Sequence, residues 1–160
     1  MKQAIAGVTL PSQGEVTIMT VWPSISMFGL GRTLGELFSI RAGIYVITVG
    51  NLIALASIPL ALALYAVRTF IRYRLTNRRV IDERGPRAEE AGSVELDRFD
   101  SIEILVRPGQ AWYDAGDLIF RQGKVETFRL EGVSRPAAFR ATCLKARAGF
   151  VGVKDALARQ

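Results

Sequence analysis

Apolar and polar residues alternate along most of this chain, but one stretch breaks the pattern. From residue 42 to 67 it reads AGIYVITVGNLIALASIPLALALYAV, with no charged side chain. As a helix this run would be about 39 Å long, against about 30 Å for the hydrocarbon core of a bilayer. A core helix of a soluble domain normally keeps a polar side toward water. The run therefore predicts a transmembrane helix over 42–67. Asn51 and Pro59 are tolerable inside a span, and Tyr45 and Tyr65 stand near its ends, where aromatic belts form. It begins some forty residues in, which does not suit a cleaved leader.

The flanks have other periods. Residues 15–22 alternate between Gly14 and Pro23 and predict a strand or an extended arm. Over 24–41, Ile25, Phe28, Leu30, Leu34, Leu37, Phe38 and Ile40 mix with Arg32, Glu36 and Arg41, the pattern of an amphipathic helix at a membrane interface. Gly29, Gly31 and Gly35 weaken any regular helix there. The alternative is a first span forming a hairpin with the next, against which Arg32 and Glu36 count.

After Arg68 the period falls to two. Tyr73 to Leu75, Arg78 to Ile81, Val94 and Leu96, Ile102 to Val106, Leu118 and Phe120, and Val125 to Leu130 predict short strands. Turn residues separate them at Thr76-Asn77, Pro108-Gly109, Gly116-Asp117 and Gln122-Gly123. Residues 82–92 read as an exposed, mobile loop. The chain closes on a helix with Ser134 as N-cap, Pro136 in its first turn and Phe139, Cys143, Ala146 and Phe150 on one apolar stripe. The expected organisation is an arm and interfacial segment (1–41), a transmembrane helix (42–67), a sheet-and-helix domain (68–150) and a tail (151–160).

Charge sharpens this picture. The net charge is +6, yet residues 80–160 hold thirteen basic and thirteen acidic groups. Arg68, Arg72, Arg74, Arg78 and Arg79 carry most of the excess, immediately after the apolar run. Arginine-rich flanks stay cytoplasmic, which predicts a C-terminal domain on the inner face of the cell membrane. The single cysteine excludes an intramolecular disulfide, and the lack of histidine removes the commonest metal ligand and general base.

The span, the run Tyr73-Arg74-Leu75-Thr76-Asn77-Arg78-Arg79-Val80-Ile81, then Val94-Glu95-Leu96-Asp97, the strand Gly116-Asp117-Leu118-Ile119-Phe120 and the lead-in Leu130-Glu131-Gly132-Val133-Ser134-Arg135-Pro136 follow one another in order. Together they resemble bacterial pleckstrin-homology (PH)-like domain proteins of the membrane-anchored kind, over roughly residues 14–147. The resemblance implies an α+β architecture in which one transmembrane helix precedes an antiparallel sheet or partial barrel capped by a C-terminal helix. It implies no chemistry, because that fold generally serves binding.

Two groups of side chains are candidates for binding. The five arginines could meet anionic lipid headgroups at about 1 kcal/mol each, or could simply set topology. Trp112 and Tyr113, on the polar loop 107–117, could anchor an interface or a protein partner, or Trp112 could cover an open end of the sheet. Asp114 and Asp117 stand three apart in a glycine-containing loop, where aspartate ordinarily serves the turn itself. Cys143 falls on the apolar stripe as a small hydrophobe. No phosphate loop, nucleophile elbow or metal spacing is present, so no enzyme, metal or cofactor is expected. The neutral C-terminal half argues against nucleic acid. The expected function is a non-enzymatic, membrane-anchored binding module for a protein partner or anionic lipid. The alternative is an assembly subunit of a membrane complex, and a homo-oligomer fits either.

Overall fold

The computed structural model describes residues 14–39 and 57–159. Among these described residues, seven strands form two antiparallel sheets: β1 (Thr17–Val21), β2 (Ile71–Thr76), β3 (Arg79–Arg84) and β4 (Glu89–Glu95) in sequence order in one, and β5 (Ser101–Leu105), β6 (Ala115–Gln122) and β7 (Val125–Ser134) in the other. Between β1 and β2 lie helix α1 (Gly29–Ser39) and a helical stretch over 57–68, here α2. Helix α3 (Pro136–Ala158) follows β7.

The alternation read from the sequence sorts the faces. Tyr73, Leu75, Val80, Leu96, Phe99, Leu118, Phe120, Leu130, Phe139 and Cys143 form one core between the sheets and under α3. Phe99 meets Phe120 edge to face at 5.0 Å, the arrangement that ring quadrupoles favour. Strands β3 and β4 extend into the expected 82–92 loop, leaving only a turn at 85–88, where Gly85 and Ala88 take positive φ. Ser134 ends β7 rather than capping α3. Arg135 holds that position in a left-handed conformation with no side-chain cap, and Pro136 opens the helix. Burial raises the Cys143 thiol pKa to about 12, so Cys143 serves as packing.

Helix α3 reaches β5 and the residues just before it. Arg140 Nε donates to the Ile102 carbonyl at 2.6 Å, and Arg147 Nε donates to that of Phe99. Two guanidinium groups thus fasten α3 to the backbone at the start of the second sheet.

Residues 14–39 belong to this domain. Strand β1 pairs antiparallel with β2, with Val21 opposite Tyr73 and Thr20 opposite Arg74. Pro23 bridges Val133, and the Ser24 N–H donates to the Gly132 carbonyl at 2.7 Å. This overturns the expected architecture of one span with an arm beyond it. A single crossing over 42–67 would put β1 and β2 on opposite sides of a bilayer, whereas they are neighbours in one sheet. Among the described residues no helix is long and apolar enough to cross a membrane. Of the expected span, 57–67 falls in α2, and 42–56 lies outside the described residues. The architecture is α+β, a PH-like antiparallel sheet fold with a C-terminal helix, and the membrane-anchored, transmembrane description is withdrawn.

Candidate functional site

Residues 106–114 cross one end of the domain between β5 and β6, and buried polar groups hold them there. Asp117, with no exposed surface, accepts at Oδ1 from Gln110 Nε2 at 2.8 Å and from the Gly132 N–H at 2.9 Å. Gln110, equally buried, accepts at Oε1 from the Arg107 N–H at 2.7 Å. The Arg107 guanidinium lies 2.7 Å from Asp117 Oδ2 and 3.5 Å from Glu131. The former contact is electrostatic rather than an aligned hydrogen bond, since Oδ2 receives none. One buried carboxylate therefore ties the loop to β7, and burial makes each of these bonds costly to break.

Helix α1 braces the loop from outside. Gly109 has φ +80°, a conformation open to glycine, and a Cβ there would collide with the Arg32 carbonyl. A Cβ on Gly35 would strike the Gly109 carbonyl and the Tyr113 ring. Two of the glycines that weaken helix propensity in 24–41 are thus points where backbone meets backbone, Gly31 against Ile25 and Gly35 against Gly109. Leu34 turns inward and is buried, while Leu30 and Leu37 on the same helix stay exposed.

On this platform Trp112 stands 54% exposed, with its ring edge-to-face against Tyr113 at 5.0 Å. Partial burial raises the Tyr113 pKa. The structure brings these two aromatics together, with Trp112 outward and Tyr113 between it and α1.

Three of the five arginines are paired with carboxylates. Arg72 and Arg74 both reach Glu83, whose side chain is nearly buried, with Arg72 at 2.9 Å. Arg79 is pinned between two acids, at 2.9 Å from Glu15 and 2.9 Å from Glu90. Its guanidinium holds the Glu15 carboxyl below the usual range, and Glu15 in turn raises the Arg79 pKa. Arg78 sits in the β2–β3 turn, its N–H bound by the Thr76 hydroxyl and its carbonyl by the Leu96 N–H. Arg68 stacks over the Tyr65 ring at 4.5 Å.

Asp114 and Asp117 do not form a pair. Asp114 takes a left-handed backbone after the short helical turn at 111–113, while Asp117 points into the network above. That network is legible only in hindsight: Pro108-Gly109 marks the loop's turn, and Gly132, mid-strand with φ +59°, marks the close approach of Met27.

Two antiparallel sheets packed over one core and closed by a C-terminal helix define the PH-like class of fold. The family model for the bacterial PH domain matches residues 25–147, so the chain belongs to that family. No curated protein and no solved structure matches it. The class points to a binding module.

Proposed function

We propose that this chain is a non-enzymatic binding module that engages a protein partner through the loop at 107–113, with Trp112 as its anchor and Tyr113 as support. The observation that carries the reading is rigid presentation: a half-exposed tryptophan on a loop fixed by the Asp117 network and by the backbone of α1. Preorganised aromatics lose little entropy on docking and are the usual hot spots of protein interfaces. Lipid headgroup binding by the arginines is the weaker reading, because Arg72, Arg74 and Arg79 already have carboxylate partners.

The test places a photo-crosslinking amino acid at position 112 of the full chain, in its own cells, with position 125 as control. Val125 is also exposed, but on a free hairpin end. A discrete protein adduct from 112 and none from 125 is expected. Identical adducts at both positions, or none at 112, would remove the proposal. Binding to phosphatidylglycerol but not phosphatidylcholine vesicles, abolished by Trp112→Ala, would transfer the site to lipid.

A further inference from the structure

Strand β5 is an edge strand that α3 closes only in part. Along β6 the Arg121 carbonyl faces β5, where it accepts the Asp100 N–H, and the Phe120 carbonyl faces β7, where it accepts the Thr127 hydroxyl. Ile102 stands opposite Phe120 and so turns its backbone groups outward, where Arg140 reaches its carbonyl. Facing alternates along an antiparallel ladder, so Ile104 also turns its N–H and C=O outward. No hydrogen bond from a described residue reaches those two groups. Leu105 and Val106 beside them are 41% and 50% exposed.

Helix α3 forms the other wall of this slot. The Pro136 ring and the Leu105 carbonyl each lie 3.3 Å from the place a Cβ on Gly116 would take, so α3 starts beside the end of β5. Ala137 and Leu144, three before and four after Arg140, share its side of the helix, and the short, exposed Ala137 leaves room beside the strand. From Gly132 to Lys154 the chain holds five cations and no acid. Arg135 and Arg140, the two nearest the open edge, have no carboxylate partner among the described residues.

We infer that the partner engaged by the 107–113 loop adds an extended, acidic segment to the edge of β5 at Ile104, in the slot beside α3. The inference rests on the reading of that loop as a protein-binding site. An unpaired edge donor and acceptor match the backbone of another strand. Two arginines without acids of their own match carboxylates carried on it. A second copy of this chain suits the slot less well, because pairing β5 with β5 about Ile104 would bring two Arg140 side chains to one edge.

The test uses the full chain. In the free protein the Ile104 amide should exchange with solvent faster than those of Glu103 and Leu105. Equal protection of all three would mean that the edge is already covered, and would overturn the inference. In its own cells, the photo-crosslinker at position 105 should then capture the same protein as at 112, through a segment of net negative charge. Ile104→Pro removes the outward N–H and should cut the adduct at 112 at least fivefold, whereas Ile104→Ala keeps that N–H and should leave it within twofold. Arg135→Glu, at an exposed position, should cut it at least threefold, and decides alone if circular dichroism shows Ile104→Pro unfolded. An adduct at 112 that withstands these changes, or none at 105, would overturn the edge inference and leave Trp112 as an anchor. A captured segment that is basic, or that comes from a second copy of this chain, would do the same. Absence of any adduct at 112 in the parent chain would instead remove the loop reading, and this inference with it.

Discussion

The loop at 107–113 and helix α2 both expose large apolar side chains, and they differ in what stands behind them. Trp112 rests on a buried carboxylate with two hydrogen-bond donors and an ion pair, and on a glycine contact with α1. The Ile58–Leu62–Tyr65 face lies on a helix whose outward side is half or more exposed along its length. Exposure alone therefore does not describe a surface. Where a polar network fixes the backbone, an exposed aromatic is held ready for a partner. Where exposure runs along a uniformly apolar helix, coverage is what the surface lacks.

Substitutions can break this contrast, beginning beneath the loop. Asp117→Ala strands the Gln110 amide, the Gly132 N–H and the Arg107 charge, and should cost about 3–5 kcal/mol in urea unfolding. Gly109→Ala should cost about 2 kcal/mol or more, because it combines a positive φ with a clash against Arg32. It should also speed amide exchange over residues 29–39, which would show that α1 is latched through that contact. Unchanged exchange would separate the helix from the loop. Trp112→Ala and Leu62→Glu remove exposed groups and should each change stability by no more than about 0.5 kcal/mol. A larger loss from Leu62→Glu than from Trp112→Ala would mean that α2 is covered in the monomer.

The smallest effect concerns pH. Glu15 has a folded-state pKa below its ordinary value, chiefly through Arg79. Its contribution is present above the unfolded carboxyl pKa, near 4.3, and is lost as pH falls through the depressed folded value. Glu15→Gln should therefore flatten the acid side of the stability profile below about pH 4.5 and cost under about 1 kcal/mol at neutral pH. An unchanged acid limb would show that the pair contributes nothing.

The sheets and the last helix were legible because their signals are local. Alternation placed Tyr73, Leu75, Val80, Leu118, Phe120 and Leu130 inward, and the spacing of Phe139 and Cys143 faced α3 toward the core. Trp112 and Tyr113 were legible as loop aromatics, but whether Trp112 faces out or covers an end of the sheet was not; it is exposed and Tyr113 is half-buried. What failed was anything fixed by a distant partner. Glu83 takes up two arginines from the neighbouring strand, and nothing in its own vicinity in the sequence marks it as buried. Gly35 and Gly109 meet across more than seventy residues, so helix propensity alone reads Gly35 as a defect. The expected span failed for a related reason. Its length and lack of charge are properties of the run itself, whereas the pairing of β1 with β2 is a property of what lies on either side.

That pairing also sets a timetable. Val21 faces Tyr73 across fifty-two positions, whereas β3 and β4 are joined by a four-residue turn. Loop closure on that scale costs about 2 kcal/mol more than closing the hairpin. At about 5–20 residues per second on a ribosome, β1 waits several seconds for its neighbour to be made. The second sheet and α3 contain only short-range connections and have no such delay once synthesised. The earliest described strand therefore waits longest for its neighbour, and a chain stalled between residues 22 and 70 leaves the ribosome with β1 lacking its β2 partner.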